Sequence, residues 1–148
     1  MNETEVDWAA IPGSEWYSPE RVIPAFDVVR GAREESSNAM LFAVANNHAG
    51  ELYPAAFFAV PILLDIATHD TNQRARACAL AILNDMIWFS PGLAPFDAVD
   101  VDGVSTPLDV AIRNLVSSAL PALEQTHAEH PVSTLIGGLS ESLTELQA

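Results

Sequence analysis

Apolar residues recur along most of this chain at helical spacing. After Pro131 they fall at Val132, Leu135, Ile136, Leu139, Leu143 and Leu146, offsets of 0, 3, 4, 7, 11 and 14 that keep to one face of a 3.6-residue period. Ser133, Ser140, Glu141, Thr144 and Glu145 take the opposite face, so the spacing predicts an amphipathic helix. Gly137 and Gly138 weaken that helix by about 1 kcal/mol each relative to alanine, which would be repaid by a close helix contact. Thr71 reads as the N-cap of a helix reaching about residue 89, with Ala75, Cys78, Ala79, Ile82, Leu83 and Met86 inward. Ser18-Pro19-Glu20 is another start: cap residue, proline in the first turn, then an acid. Ser36 or Ser37 opens a short apolar helix through Ala45, and Gly50 is placed to close it as a left-handed C-cap. Pro54 begins the next helix, which runs through Ile66. Strand signals are nearly absent. Residues 90–106, opening on Ser90-Pro91-Gly92-Leu93-Ala94-Pro95, read as a loop, and Pro107 starts a further helix.

An internal repeat organises these elements. Val22-Ile23-Pro24-Ala25-Phe26-Asp27, Val60-Pro61-Ile62-Leu63-Leu64-Asp65 and Ala119-Leu120-Pro121-Ala122-Leu123-Glu124 each hold a proline among apolar residues, followed by an acid. The prolines lie 37 and then 60 residues apart, and the surplus matches the 90–106 loop. A proline inside a helix costs about 3 kcal/mol and bends it, so three in register predict a repeated bend. The expectation is a single all-α domain, a short α-solenoid of about six helices in three hairpins over 18–50, 53–89 and 107–147, with 90–106 inserted.

The proline segments resemble the bent first helices of HEAT repeats. More narrowly, residues 6 to 90 resemble a family of small bacterial HEAT-like proteins common in actinobacteria. The matching elements are Val6-Asp7-Trp8, Ile23-Pro24, His48-Ala49-Gly50-Glu51-Leu52-Tyr53-Pro54-Ala55 and Val60-Pro61. Ala49 stands where the family usually has glutamine, and Ile11-Pro12-Gly13-Ser14 replaces its polar element after the Asp-Trp pair. The resemblance implies a helical-repeat architecture.

Charge narrows the function. Twenty acids against six bases leave a net charge of −14 in 148 residues; all six bases are arginine and there is no lysine. Lysine chemistry is thereby excluded, both the Schiff-base nucleophile and the phosphate-binding P-loop lysine. A basic stripe for nucleic acid is missing, and the net charge repels phosphate backbones and anionic bilayers while attracting basic proteins. Hydrophobic residues make up 49%, enough to bury a core. One cysteine, Cys78, sits in an apolar run and reads as a structural thiol, with no intrachain disulfide to form. The N-terminus is acidic, unlike a signal peptide, and the longest apolar stretch, over 52–67, is about sixteen residues. These features predict a cytoplasmic protein with no membrane and no nucleic-acid partner.

Three constellations invite chemistry. His127 and His130 stand at i, i+3, a spacing that can chelate a metal on a helix face, but also one that meets a helix C-terminus favourably. Asp97, Asp100 and Asp102 before Gly103 resemble part of a calcium loop ending at Asp109, though Ala98 occupies the first ligand position and the final ligand is not the usual glutamate. His48, Glu51 and Tyr53 fall in an inter-hairpin turn, where hydrogen bonds that fix the turn are the plainer reading. No nucleophile elbow, phosphate loop or Cys-x-x-Cys occurs, so no enzyme and no cofactor are expected. Arg74, Asp85 and Trp88 fall on the side of the 71–89 helix away from its apolar stripe, as a partner contact would. Trp8, Trp16 and Tyr17 are expected to cap the first repeat.

The function expected from the sequence is therefore protein binding by an acidic immunity protein (an antitoxin) that occludes a basic toxin domain. The contact residues would be Arg74, Asp85, Trp88, Asp97, Asp100 and Asp102. An adaptor without a toxin partner is the alternative, and a metal-dependent enzyme using His127 and His130, or His48, is the second.

Overall fold

The computed structural model describes residues 2–33 and 36–147. Most of the chain is helical: α1 (Val22–Arg30), α2 (Ser36–Val44), α3 (Pro54–His69), α4 (Gln73–Met86), α5 (Leu108–Glu124) and α6 (Val132–Gln147). Three 3-10 turns precede them, at Glu3–Glu5, Trp8–Ala10 and Pro19–Arg21. The all-α expectation needs correcting, because five short strands are also present: β1 (Ala45–Asn46), β2 (Glu51–Leu52), β3 (Ser90–Pro91), β4 (Ala98–Val101) and β5 (Val104–Pro107).

The helices pack in sequence pairs, α1 with α2, α3 with α4 and α5 with α6. Across the pairs, α3 lies against α5, and α4 lies against both α2 and α6. The core runs continuously between these helices, with Phe26, Met40, Leu63, Leu80, Leu83 and Ile112 fully buried. Each such side chain contributes about 1.5–3 kcal/mol relative to exposure.

Element starts follow local chemistry. Pro54 sits in the first turn of α3, where its missing N–H has no intrahelical partner anyway. The cap of α4 is Asn72, one residue beyond the expected Thr71: its side-chain oxygen accepts from the N–H groups of Arg74 and Ala75 at 2.9 and 3.4 Å. The repeated proline bend is not uniform. Pro61 and Pro121 lie inside α3 and α5. Pro24 instead occupies the first turn of α1, where no hydrogen bond is forfeited.

The 90–106 segment departs furthest from expectation. Asp102 and Gly103 both have positive φ, 51° and 82°, and join β4 to β5 in a two-residue hairpin with Val101 opposite Val104. The hairpin packs on α5, and the Leu108 N–H donates to the Asp97 carbonyl at 3.0 Å, so α5 starts at Leu108 with Pro107 as its cap. Gly50 is left-handed as expected (φ 67°), but it lies in the turn between β1 and β2 rather than at the end of α2. β1 pairs antiparallel with β2, which pairs in parallel with β3, laying Gly92 beside the Leu52 carbonyl.

Among the described residues, no helix is long and apolar enough to cross a membrane.

Candidate functional site

The N-terminal segment, the β1–β2 turn and residues 92–96 converge on one end of the molecule. Trp8 anchors the first of these. Its ring is buried at 4% exposure against Phe26, centroids 6.1 Å apart, and its indole N–H donates to the Glu3 carbonyl at 2.8 Å. The Tyr17 hydroxyl then donates to the Trp8 carbonyl at 2.7 Å, and the Tyr17 ring stands edge-on to Tyr53 at 5.9 Å. Gly13 makes that approach possible, since a Cβ there would fall 2.5 Å from the Tyr17 ring. Both phenols stay protonated. Burial, reinforced by the charge of Glu20, pushes Tyr17 up to about 12. Burial also raises Tyr53, with Glu51 adding while Arg21 and a hydrogen bond with Ser14 oppose.

With Trp8 and Tyr17 fixed inward, Trp16 between them projects outward at 68% exposure, which corrects the expectation that it caps the first repeat. It separates two adjoining clefts. One, of about 500 Å³, is lined by Ser14, Glu15, Trp16, Asn46, Glu51, Leu52, Tyr53 and residues 92–96 except Pro95. The other, of about 610 Å³, shares Glu15, Trp16, Asn46 and Tyr53 and adds Arg21, Phe42 and His48. Leu93 borders the first at 81% exposure and Phe42 the second at 57%, so three of the most exposed large apolar residues edge these two clefts. The Arg21 guanidinium lies 4.6 Å above the Phe42 ring. Large apolar residues left in water beside concave, polar-rimmed surface make this end the candidate site.

The expected contact residues do not form this site. Arg74 is exposed near the start of α4 and Asp85 near its end, separated by about 16 Å at 1.5 Å per residue. Asp85 is exposed as a residue, yet partial burial of its carboxyl raises it above its ordinary value. Trp88 lies beyond the end of α4, half exposed. Asp97 precedes the β4–β5 hairpin, while Asp100 and Asp102 are exposed on it. None of the six lines either cleft beside Trp16. Arg74 instead borders a shallow cleft of about 530 Å³ between α2, α4 and α6, together with Arg33, Cys78 and His130. Cys78 is only half-buried there.

The metal readings find other roles for their residues. His127 and His130 lie in the α5–α6 connection rather than on a helix; the His127 carbonyl accepts from Arg76, and the His130 ring pairs with Thr134 at 3.1 Å. The would-be calcium loop is the β4–β5 hairpin, and Asp109 faces Arg113 at 3.7 Å. His48 is exposed while Tyr53 is buried. Among the described residues, no group of three His, Cys, Asp or Glu side chains is placed to hold a metal ion.

The arginines are occupied mostly elsewhere. Arg30 makes a two-pronged pair with buried Glu3 at 2.7 and 2.8 Å, Arg113 pairs with Asp109, Arg21 stacks on Phe42, and Arg76 is buried among carbonyls. Most acids accordingly make no ion pair among the described residues, Glu15 and Glu51 at the clefts included.

Protein-family models, curated proteins and solved structures were compared with this chain, and none matches.

Proposed function

We propose that this chain is a protein-binding scaffold that captures a basic partner at the end bearing Trp16. The observation that carries the reading is the group of Trp16, Phe42 and Leu93, exposed around two adjoining clefts on a chain with a net charge of −14. Aromatic side chains beside concave surface supply contact energy, and the unneutralised acids steer a basic protein toward it. We also propose, from the pairing of α1 with α2, α3 with α4 and α5 with α6, a short α-solenoid of about three HEAT-like hairpins akin to the small bacterial HEAT-like proteins.

Within protein binding, the role proposed is that of an acidic immunity protein acting in the cytoplasm, occluding a basic toxin domain encoded beside it. The test is calorimetric titration of this chain with the purified product of the neighbouring reading frame, at low and high salt. Saturable binding that weakens steeply as salt rises is expected. No binding, or an affinity that salt leaves unchanged, overturns the reading. The immunity role further requires that co-expression relieve growth arrest caused by the partner.

A further inference from the structure

We propose that the cleft between Trp16 and residues 92–96 is a pocket for an organic monocation, the guanidinium or alkylammonium head of a basic side chain presented by a partner protein. It is lined by three aromatic residues, Trp16, Tyr53 and Phe96, and by two acids, Glu15 and Glu51. No arginine or histidine lines it, in contrast to the neighbouring cleft with Arg21 and His48. Aromatic faces attract a cation through their quadrupole, and most strongly where water is thinned, while the carboxylates supply the counter-charge.

The carboxylates are free for this role. Neither Glu15 nor Glu51 makes an ion pair among the described residues. Glu51 is held in β2, paired on one side with Asn46 and on the other with Ser90, so its backbone is fixed by strands on both edges. Its Oε2 comes within 3.7 Å of where a Cβ on Gly92 would stand, and the absence of a side chain at Gly92 keeps that carboxylate open. The volume of about 500 Å³ admits a long basic side chain. Next door the chain makes the same contact with its own residues, Arg21 over Phe42 at 4.6 Å. The protein-borne source of the cation rests on the protein-binding reading above; the cation chemistry rests on the pocket alone.

Nitrogen-15-labelled full-length protein is titrated with a tri-arginine peptide, with choline, and with the uncharged tri-citrulline peptide, following the three indole N–H signals by NMR. The Trp16 signal is expected to shift saturably with tri-arginine, to respond far less to tri-citrulline, and to leave buried Trp8 unmoved. Glu51→Gln and Glu15→Gln, each checked for native signal dispersion, are expected to weaken tri-arginine binding at least about tenfold in combination. The pair Asp100→Asn and Asp102→Asn, on the β4–β5 hairpin and outside the cleft lining, is expected to change it little. Should choline saturate the Trp16 signal as tightly as the peptide, the pocket stands and its natural cation is a free small molecule. Equal responses to arginine and citrulline peptides, or equal losses from the hairpin pair and the cleft pair, overturn the proposal. If the neighbouring-gene product binds without moving Trp16, the pocket fails and the protein-binding reading survives. If the peptide saturates the pocket and no protein binds, the reverse holds.

Discussion

Replacing Arg76 with methionine is predicted to cost more stability than almost any other single polar substitution in this protein. Arg76 lies in the first turn of α4 and is only 3% exposed. Its guanidinium donates to the Ala67 carbonyl, the His127 carbonyl and the Thr126 hydroxyl, each at 2.7 Å. Ala67 belongs to the last turn of α3, and Thr126 and His127 follow the end of α5. Both helix ends carry carbonyls without intrahelical partners, where a cation is favourable. One side chain therefore joins the C-terminal ends of α3 and α5 to α4.

Methionine keeps most of the volume and removes all the donors. Two backbone carbonyls then lose their partner, at about 1–3 kcal/mol each, so the expected loss is about 2–6 kcal/mol. Against a total stability of about 5–15 kcal/mol that is a large fraction. The corresponding drop in melting temperature is about 4–24 °C, at roughly 2–4 °C per kcal/mol for a domain of this size. Urea and thermal unfolding followed by far-UV circular dichroism measure it. Arg76→Lys keeps the charge but not the planar fork, and is expected to recover only part of the loss. A change below about 1 kcal/mol for Arg76→Met would refute the reasoning, because it would mean the carbonyls find water at no cost.

Other substitutions test separate parts of the account. Trp8→Ala is expected to destabilise by about 3–5 kcal/mol in chemical unfolding, while Trp16→Ala should change stability by no more than about 0.5 kcal/mol. Similar costs for both would contradict the division of inward and outward tryptophans. The Arg30 guanidinium hydrogen-bonded to Glu3 holds that carboxyl below its ordinary 4.5, although burial opposes the shift. A depressed folded value means that the stabilisation is present above the unfolded value and is lost as pH falls through the folded one. Glu3→Gln is thus expected to be less stable than the parent at neutral pH, with the gap closing below pH 4.5, as measured by denaturant midpoints across that range. Gly137→Ala and Gly138→Ala should each stabilise by about 0.5–1 kcal/mol in thermal melts, since a Cβ at either position meets nothing within 4 Å.

The last prediction reverses a sequence expectation, and the reason is instructive. Two glycines in a helix are read as making room for a neighbour, but the packing geometry leaves open space beside both. Helix α6 was legible because Pro131 before it and a regular apolar period reinforce each other, and α3 because Pro54 opens a nearly unbroken apolar run. The β4–β5 hairpin was also encoded, in Asp102-Gly103 flanked by Val99, Val101 and Val104. An Asp-Gly pair between alternating apolar residues is a turn signal as well as a fragment of a calcium loop, and the ligand-like spacing of the acids masked it. The clefts around Trp16 were less accessible. They join residues 14–16, 45–53 and 92–96, whose approach depends on the two-residue pairings of β1, β2 and β3. Strands that short have no detectable period. The signal that remained was Trp16-Tyr17 itself, two large aromatics side by side outside any expected helix.

The binding surface is the central claim, and hydrogen–deuterium exchange on the complex with the neighbouring-gene product tests it most directly. Added protection is predicted in 14–18, 45–53 and 92–96, the three segments that build the clefts beside Trp16. Protection confined to the exposed side of α4, from Arg74 to Trp88, or to the 97–107 hairpin, with those three segments unchanged, would contradict it.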